Sequence, residues 1–187
     1  MGTPVIDASA MTVDEFYAYT DARPDHEKWE LIGGKPILNA APSRRHQRIA
    51  INIVVALRNR QRDLAASWEV LTDFGLLVSD TSRPEPDVVA LPYSLGNDRH
   101  ADDVIVAFEV LSPSTKTRDL TVKRDAYISL ASLTHYVVIA QDKVEVIVFA
   151  RDNGFKKSTF RSRDDVVDLG SLSVLLPVAE IYRDTGV

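Results

Sequence analysis

Between residues 104 and 111 the chain reads VIVAFEVL, apolar at odd and even positions alike apart from Glu109. Successive residues of a strand show opposite faces, so a run that is apolar in both registers belongs to a strand covered on both sides. That run constrains the architecture more than any other: it requires a sheet with layers on both faces and this strand lying centrally. It also raises a question of charge. An ionised carboxylate withdrawn from water is costly unless something pairs with it or coordinates it. Glu109 is therefore either half of a structural ion pair or a ligand.

The rest of the chain supplies the layers. TVDE, Thr12 to Glu15, has capping-box spacing and predicts a short helix through about Ala22. KWELIGGKPILNA reads as a hairpin turning at Gly33-Gly34. From Ser43 to about Ala66 the period becomes helical, with Ile49, Ile53, Ala56, Leu57 and Leu64 on one face. Residues 68–79 predict a strand or a bent pair, and 87–91 and 103–111 predict two more strands. A helix fits 119–132, with Tyr127, Leu130 and Ala131 as core candidates. HYVVIA and VEVIVFA follow as strands about the turn QDK, FKKSTFR as a polar edge strand, and LPVAEIY as a closing helix. The order predicts an α/β (α+β) fold, a mixed β-sheet flanked by helices. With 187 residues and no long linker or repeat, it predicts one domain over 1–187, residues 1–10 forming a flexible tail.

Composition excludes some chemistry. The chain has no cysteine, so no disulfide framework, thiolate nucleophile or thiolate metal site is available. It shows no secretory signal pattern, and no apolar run approaches the roughly 20 residues that span a bilayer. The expectation is a cytoplasmic protein with no membrane role. The net charge of −5 counts against binding nucleic acid by bulk charge, so anion binding requires a local basic patch or bound cations.

The acids suggest a site. A symmetric hairpin about Gly96-Asn97-Asp98 places Asp87, at the mouth of DVVAL, opposite Glu109, with Cβ atoms roughly 5 Å apart. Two like charges that close call for a cation, and Mg²⁺ or Mn²⁺ is often held by one or two carboxylates plus water and substrate phosphate. Asp119, Lys123 and Tyr127 are four apart and share a helical face. Lys123 there can steady negative charge growing at phosphorus or orient an attacking water, or it and Asp119 form an ordinary helix ion pair. Arg44, Arg45 and His46 make a basic cluster at a helix start, where backbone N–H groups also favour anions. Lys116 and Arg118 are a second candidate phosphate contact.

The segments WELIGGK, APSRRHQRI, RPEPDVVAL, FEVLSPSTKTRD and KRDAY, in this order and spacing, resemble the Uma-type restriction-endonuclease family of the PD-(D/E)XK nuclease superfamily, over about Thr12 to Phe149. The resemblance implies a restriction-endonuclease-like core and a metal-dependent endonuclease that hydrolyses phosphodiester bonds of DNA. By residue, it puts the motif aspartate on Asp87 and the motif glutamate on Glu109. Leu111 stands where the motif lysine is expected, which makes Lys123 its replacement. The resemblance also assigns Glu30 a supporting role, although Gly33 replaces an acid common nearby, and it places a family histidine on His46, as a phosphate contact or a ligand. Cutting both strands from one site per chain favours a homodimer. The competing expectation is a catalytically silent relative that binds nucleic acid or protein, which the missing lysine and acidic charge favour.

Overall fold

The computed structural model describes residues 10–24, 26–112 and 116–187, and of Lys116 the backbone only. All of the expected N-terminal tail except Ala10 lies outside these residues. Helix α1 spans Val13–Asp21 and starts as the sequence dictates: Thr12 Oγ1 accepts from the Glu15 amide, and Glu15 Oε2 accepts from the Thr12 amide at 2.8 Å. Val13 and Phe16 are buried in a small cluster with Leu31. Leu31 lies in β1, Lys28–Ile32, which pairs antiparallel with β2, Lys35–Asn39. Gly33 and Gly34 both have positive φ, 56° and 76°, the conformation a two-residue hairpin turn needs.

Helix α2, Arg44–Asp63, leads to β3, Trp68–Thr72, and the two-residue β4, Gly75–Leu76. After β5, Val88–Pro92, and β6, His100–Ala101, comes β7, Val106–Leu111, buried along its whole length. The following helix has three parts: α3, Lys116–Arg118, a π-helical turn over Asp119–Lys123, and α4, Arg124–Ile128. Strands β8, His135–Ala140, β9, Val146–Ala150, and β10, Lys157–Phe160, complete the main sheet. Strands β11, Val166–Leu169, and β12, Val174–Pro177, form a separate hairpin before α5, Val178–Ile181.

The main sheet runs β10-β9-β8-β7-β5-β3 among the described residues, with only β7 and β8 parallel. Strand β7 is thus central, as its double-sided apolar run requires. Its even residues, Val106, Phe108 and Val110, face a core shared with Ile49, Ile53 and Leu57 of α2 and with β11, β12 and α5. Its odd residues, Ala107 and Leu111, face a second core with Tyr127, Leu130 and Tyr136. Glu109 has odd parity and meets the second side, where the π turn passes.

Three expectations need correction. Leu64 is 48% exposed, because α2 closes at Asp63 and Leu64 is only its C-cap. Ala131 is exposed, because the predicted helix over 119–132 stops at Ile128 and the chain turns. The β11–β12 hairpin occupies a stretch with no predicted strand, and β12 takes Leu176 and Pro177 from the expected closing helix, which begins only at Val178. No described helix is long and apolar enough to cross a membrane.

Candidate active site

Asp87 and Glu109 arrive together by strand register. Val88 faces Phe108 across the antiparallel β5–β7 pair, so one step outward brings Asp87 beside Glu109. The Asp87 carboxylate extends the ladder: Oδ2 accepts from the Val110 amide at 2.7 Å, and His46 Nε2 lies 3.2 Å from the same oxygen. His46 is held there by the start of α2, where its amide donates to the N-cap side chain of Ser43.

Lys123 closes the other side. Its ammonium donates to Glu109 Oε1 at 2.8 Å and to the Glu85 carbonyl at 3.3 Å, and stands 2.9 Å from Glu30 Oε2. Tyr127 OH donates to the same Glu109 oxygen at 2.9 Å. Glu30 is fully buried in β1, and its other oxygen lies 3.0 Å from the Arg118 guanidinium, which also bonds Asn39. The π turn buries both Asp119 and Lys123, and Tyr136 OH donates to the Asp119 carbonyl. Wide π turns recur where a helix must present functional groups that ordinary winding would misplace.

More carboxylates than cations crowd this space, and the ionisation follows. Burial pushes Glu109 well above the ordinary carboxylate range; Lys123 pulls the other way, while Asp87, Asp119 and Glu30 push with burial. Burial also disfavours the Lys123 ammonium, but Glu109, Glu30 and Asp119 outweigh it and hold Lys123 above its usual value. Burial drives the Glu109 shift, and a surplus of negative charge around a single buried ammonium adds to it and holds Lys123 up. Burial raises Asp87 as well, yet His46 and the Val110 amide bring it below its ordinary value. Burial raises Tyr127, with Glu109 adding to it, so the phenol stays protonated and donates.

These groups line a cavity of about 260 Å³ whose walls include Asp87, Glu109, His46, Arg118, Asp119 and Lys123. Glu30 stands behind it and braces Lys123. Arg44 is exposed at the head of α2, while Arg45 turns away, donating to the carbonyls of Thr185 and Gln141. The side chain of Lys116 lies outside the described residues. Sequence reasoning missed Glu85, which also lines the cavity and pairs with Arg83, although its place between Pro84 and Pro86 just before Asp87 was a signal. It placed Tyr127 both in the core and on the helical face of Asp119 and Lys123, but gave it no role at Glu109.

The donor set suits a hard divalent cation. Among the described residues, every hydrogen bond and ion pair of Asp87 falls on Oδ2 and every one of Glu109 on Oε1. One oxygen of each acid therefore keeps its lone pairs for a ligand. Two carboxylates with room for water match Mg²⁺ or Mn²⁺. No cluster of three or more histidine or acidic side chains that could hold a metal occurs among the described residues.

The family model described as "Uma2: Putative restriction endonuclease" matches residues 13–178. The chain belongs to that family. The Uma2 match takes in both strands that carry the acids and the π turn that carries Lys123. No curated protein matches the chain. A solved structure described as a "putative nuclease belonging to DUF820" from Anabaena variabilis ATCC 29413 is similar at a TM-score of 0.74 and 18% identity, covering 92% of this chain and 97% of its own. That likeness shows the fold; membership of the Uma2 family makes the chain a nuclease-family protein.

Proposed function

We propose that the chain is a divalent-metal-dependent endonuclease that hydrolyses phosphodiester bonds of DNA as a single domain over 1–187. The observation that carries this reading is the cavity in which Asp87 and Glu109 each keep one uncommitted oxygen beside the Lys123 ammonium. Asp87 and Glu109 would hold Mg²⁺ or Mn²⁺. When bound, the ion supplies Lewis-acid polarisation of the phosphate and a more acidic water. Lys123, oriented by Glu30 behind it, steadies the charge that grows on the phosphate, the part the motif lysine plays when it stands on the strand. Arg118 and the head of α2, with Ser43 and His46 on the cavity wall, receive the flanking phosphates, since helix N-termini favour anions. Arg44 extends that basic rim, and Arg45 contributes by fixing the helix rather than by contact. A twofold homodimer in the cytoplasm would present two such sites to the two strands.

One observation favours a second reading, a silent binding module. The Lys123 ammonium already has three partners, Glu109, Glu30 and the Glu85 carbonyl, and must give one up to meet a phosphate. The test is cleavage of supercoiled, linear and single-stranded DNA with Mg²⁺ or Mn²⁺, by the parent and by Asp87→Asn. Metal-dependent cutting by the parent alone supports the nuclease. No cutting by the parent, with the chain folded and metal bound, supports the silent module.

A further inference from the structure

A second cavity, of about 290 Å³, opens between α1 and the start of β1. It shares Lys28 and Glu85 with the acid cavity, so the two spaces meet across those side chains. Its size is at the lower end for small-ligand sites, and the chemistry proposed above does not use it.

The walls combine three kinds of group. Tyr17 and Trp29 offer aromatic surface and are only partly buried. The exposed Arg99 lays its guanidinium 4.0 Å above the centroid of the Tyr17 ring, and Tyr17 also stacks on His100 with planes 5° apart. Lys28 stands at the junction with the acid cavity. Glu27 and Asp73 complete the wall. Asp73 is paired with Lys28 and Glu27 accepts from Trp29 Nε1; these carboxylates would repel a phosphate placed among them, but their remaining oxygens can accept from the amino edge of a base. Aromatic and guanidinium planes are what single-stranded nucleic acid stacks on, and a cation tracks its backbone. A base inside a duplex reaches such a cavity only by leaving its stack.

We propose that this cavity is a subsite for an unpaired nucleotide next to the scissile phosphate, its base against Tyr17, Trp29 and Arg99 and its phosphate toward Lys28. The assignment rests on the nuclease reading and adds to it an unpaired nucleotide, in a single strand or at a strand end, beside the scissile phosphate. Phe16 and Leu31 are buried by the packing of α1 on the hairpin, while the Tyr17 hydroxyl is held by Arg83 and His100 and Arg99 pairs with Asp21, contacts that fix the Tyr17 ring and the exposed Arg99 plane at the cavity wall.

The chain has two tryptophans, and Trp68 is buried in the core. Trp68→Phe therefore leaves Trp29 as the sole reporter. A short fluorescein-labelled single-stranded oligonucleotide, titrated in EDTA at low salt, should quench Trp29 emission as anisotropy rises. A blunt duplex should not. Arg99→Ala, and an abasic oligonucleotide given to the parent chain, should each weaken binding roughly 5–100-fold, the scale of a lost base stack. Binding with unchanged Trp29 emission, equal affinity for the abasic strand, or no single-strand binding would each overturn the subsite. The abasic comparison uses the parent chain and stands even if Trp68→Phe misfolds. Duplex cleavage unaffected by Arg99→Ala would retire the subsite and keep the nuclease; Trp29 quenching without any cleavage would do the reverse.

Discussion

Replacing Lys123 by methionine tests the buried network directly. Lys123 is 3% exposed and sits between Glu30 and Glu109, which are 0% and 4% exposed. The substitution keeps most of the volume and removes the only ammonium between them. Breaking a buried pair in this way generally costs about 3–5 kcal/mol. Two features soften the loss here. Glu30 keeps Arg118 at 3.0 Å, and Glu109 keeps the Tyr127 hydroxyl at 2.9 Å. Glu109 also has an escape, since burial already raises it from an ordinary value of 4.5 and the lost ammonium raises it further. Carrying a neutral acid at pH 7 costs about 1.4 kcal/mol for each of the roughly 2.5 pH units above that value, a ceiling of about 3.5 kcal/mol. The sign follows: the folded variant binds more protons than the unfolded chain, so its stability falls as pH rises above 4.5. At pH 5 the same ceiling is only about 0.7 kcal/mol. Without metal, Lys123→Met should therefore melt several degrees below the parent at pH 7, up to about 7–14 °C if the full ceiling is reached, and close to it at pH 5. Adding Glu109→Gln should restore most of the loss at pH 7. Thermal melts in EDTA at both values decide the matter. A variant that melts within about a degree of the parent at pH 7 would refute the buried pairing, and a deficit equal at both values would refute the proton escape.

Calorimetric titration with Mn²⁺ should show binding to the parent that Asp87→Asn and Glu109→Gln each abolish, since each removes one of the two uncommitted carboxylate oxygens; unchanged binding in either variant would place the metal elsewhere. Tyr127→Phe should cost about 1.5–3 kcal/mol in denaturant unfolding, the scale of a hydrogen bond to a charged group, and a neutral result would mean that water replaces the phenol. Burial lowers His135 from its ordinary value of 6.5 although Asp152 and Asp168 oppose it. The unfolded chain then binds the extra proton first, so stability should rise with pH up to about 6.5. His135→Gln should flatten that slope, and an unchanged slope would assign it to other groups.

The acid pair was legible because two independent patterns met. A run apolar in both registers left Glu109 without a bland explanation, and the register about the Gly96 turn carried Asp87 beside it. The bracing was less legible. Nothing in DLTVKRDAY marks an i→i+5 turn, so ordinary helical spacing suggests an Asp119–Lys123 surface pair where the fold buries both residues and ties Lys123 to Glu109 and Glu30. Glu30 meets Lys123 across 93 positions of sequence, a contact that only tertiary packing decides. The β11–β12 hairpin was no more legible: Val167, Leu169, Val174 and Leu176 are buried, but the exposed positions between them include the apolar Val166 and Leu175, so the apolar/polar alternation that marks a half-buried strand is missing. Leu64 and Ala131 fail for a shared reason, since both lie where a helix stops and apolar periodicity carries no stop signal.

The π turn over Asp119–Lys123 gives the site a phase as well as a lysine. A π-bulge holds one residue more than the ordinary helical path, and each residue of an α-helix advances about 100°. Deleting a single exposed residue there, such as Val122, would keep every acid and Lys123 itself. Yet it would rotate Arg118 and Asp119 by about 100° relative to Lys123 and Tyr127, whose ring is anchored in the core. Homologous chains that differ by one residue at this turn can thus share the whole set of site residues and still point them in different directions. The length of the turn, independent of its composition, becomes a variable on which activity can be gained or lost.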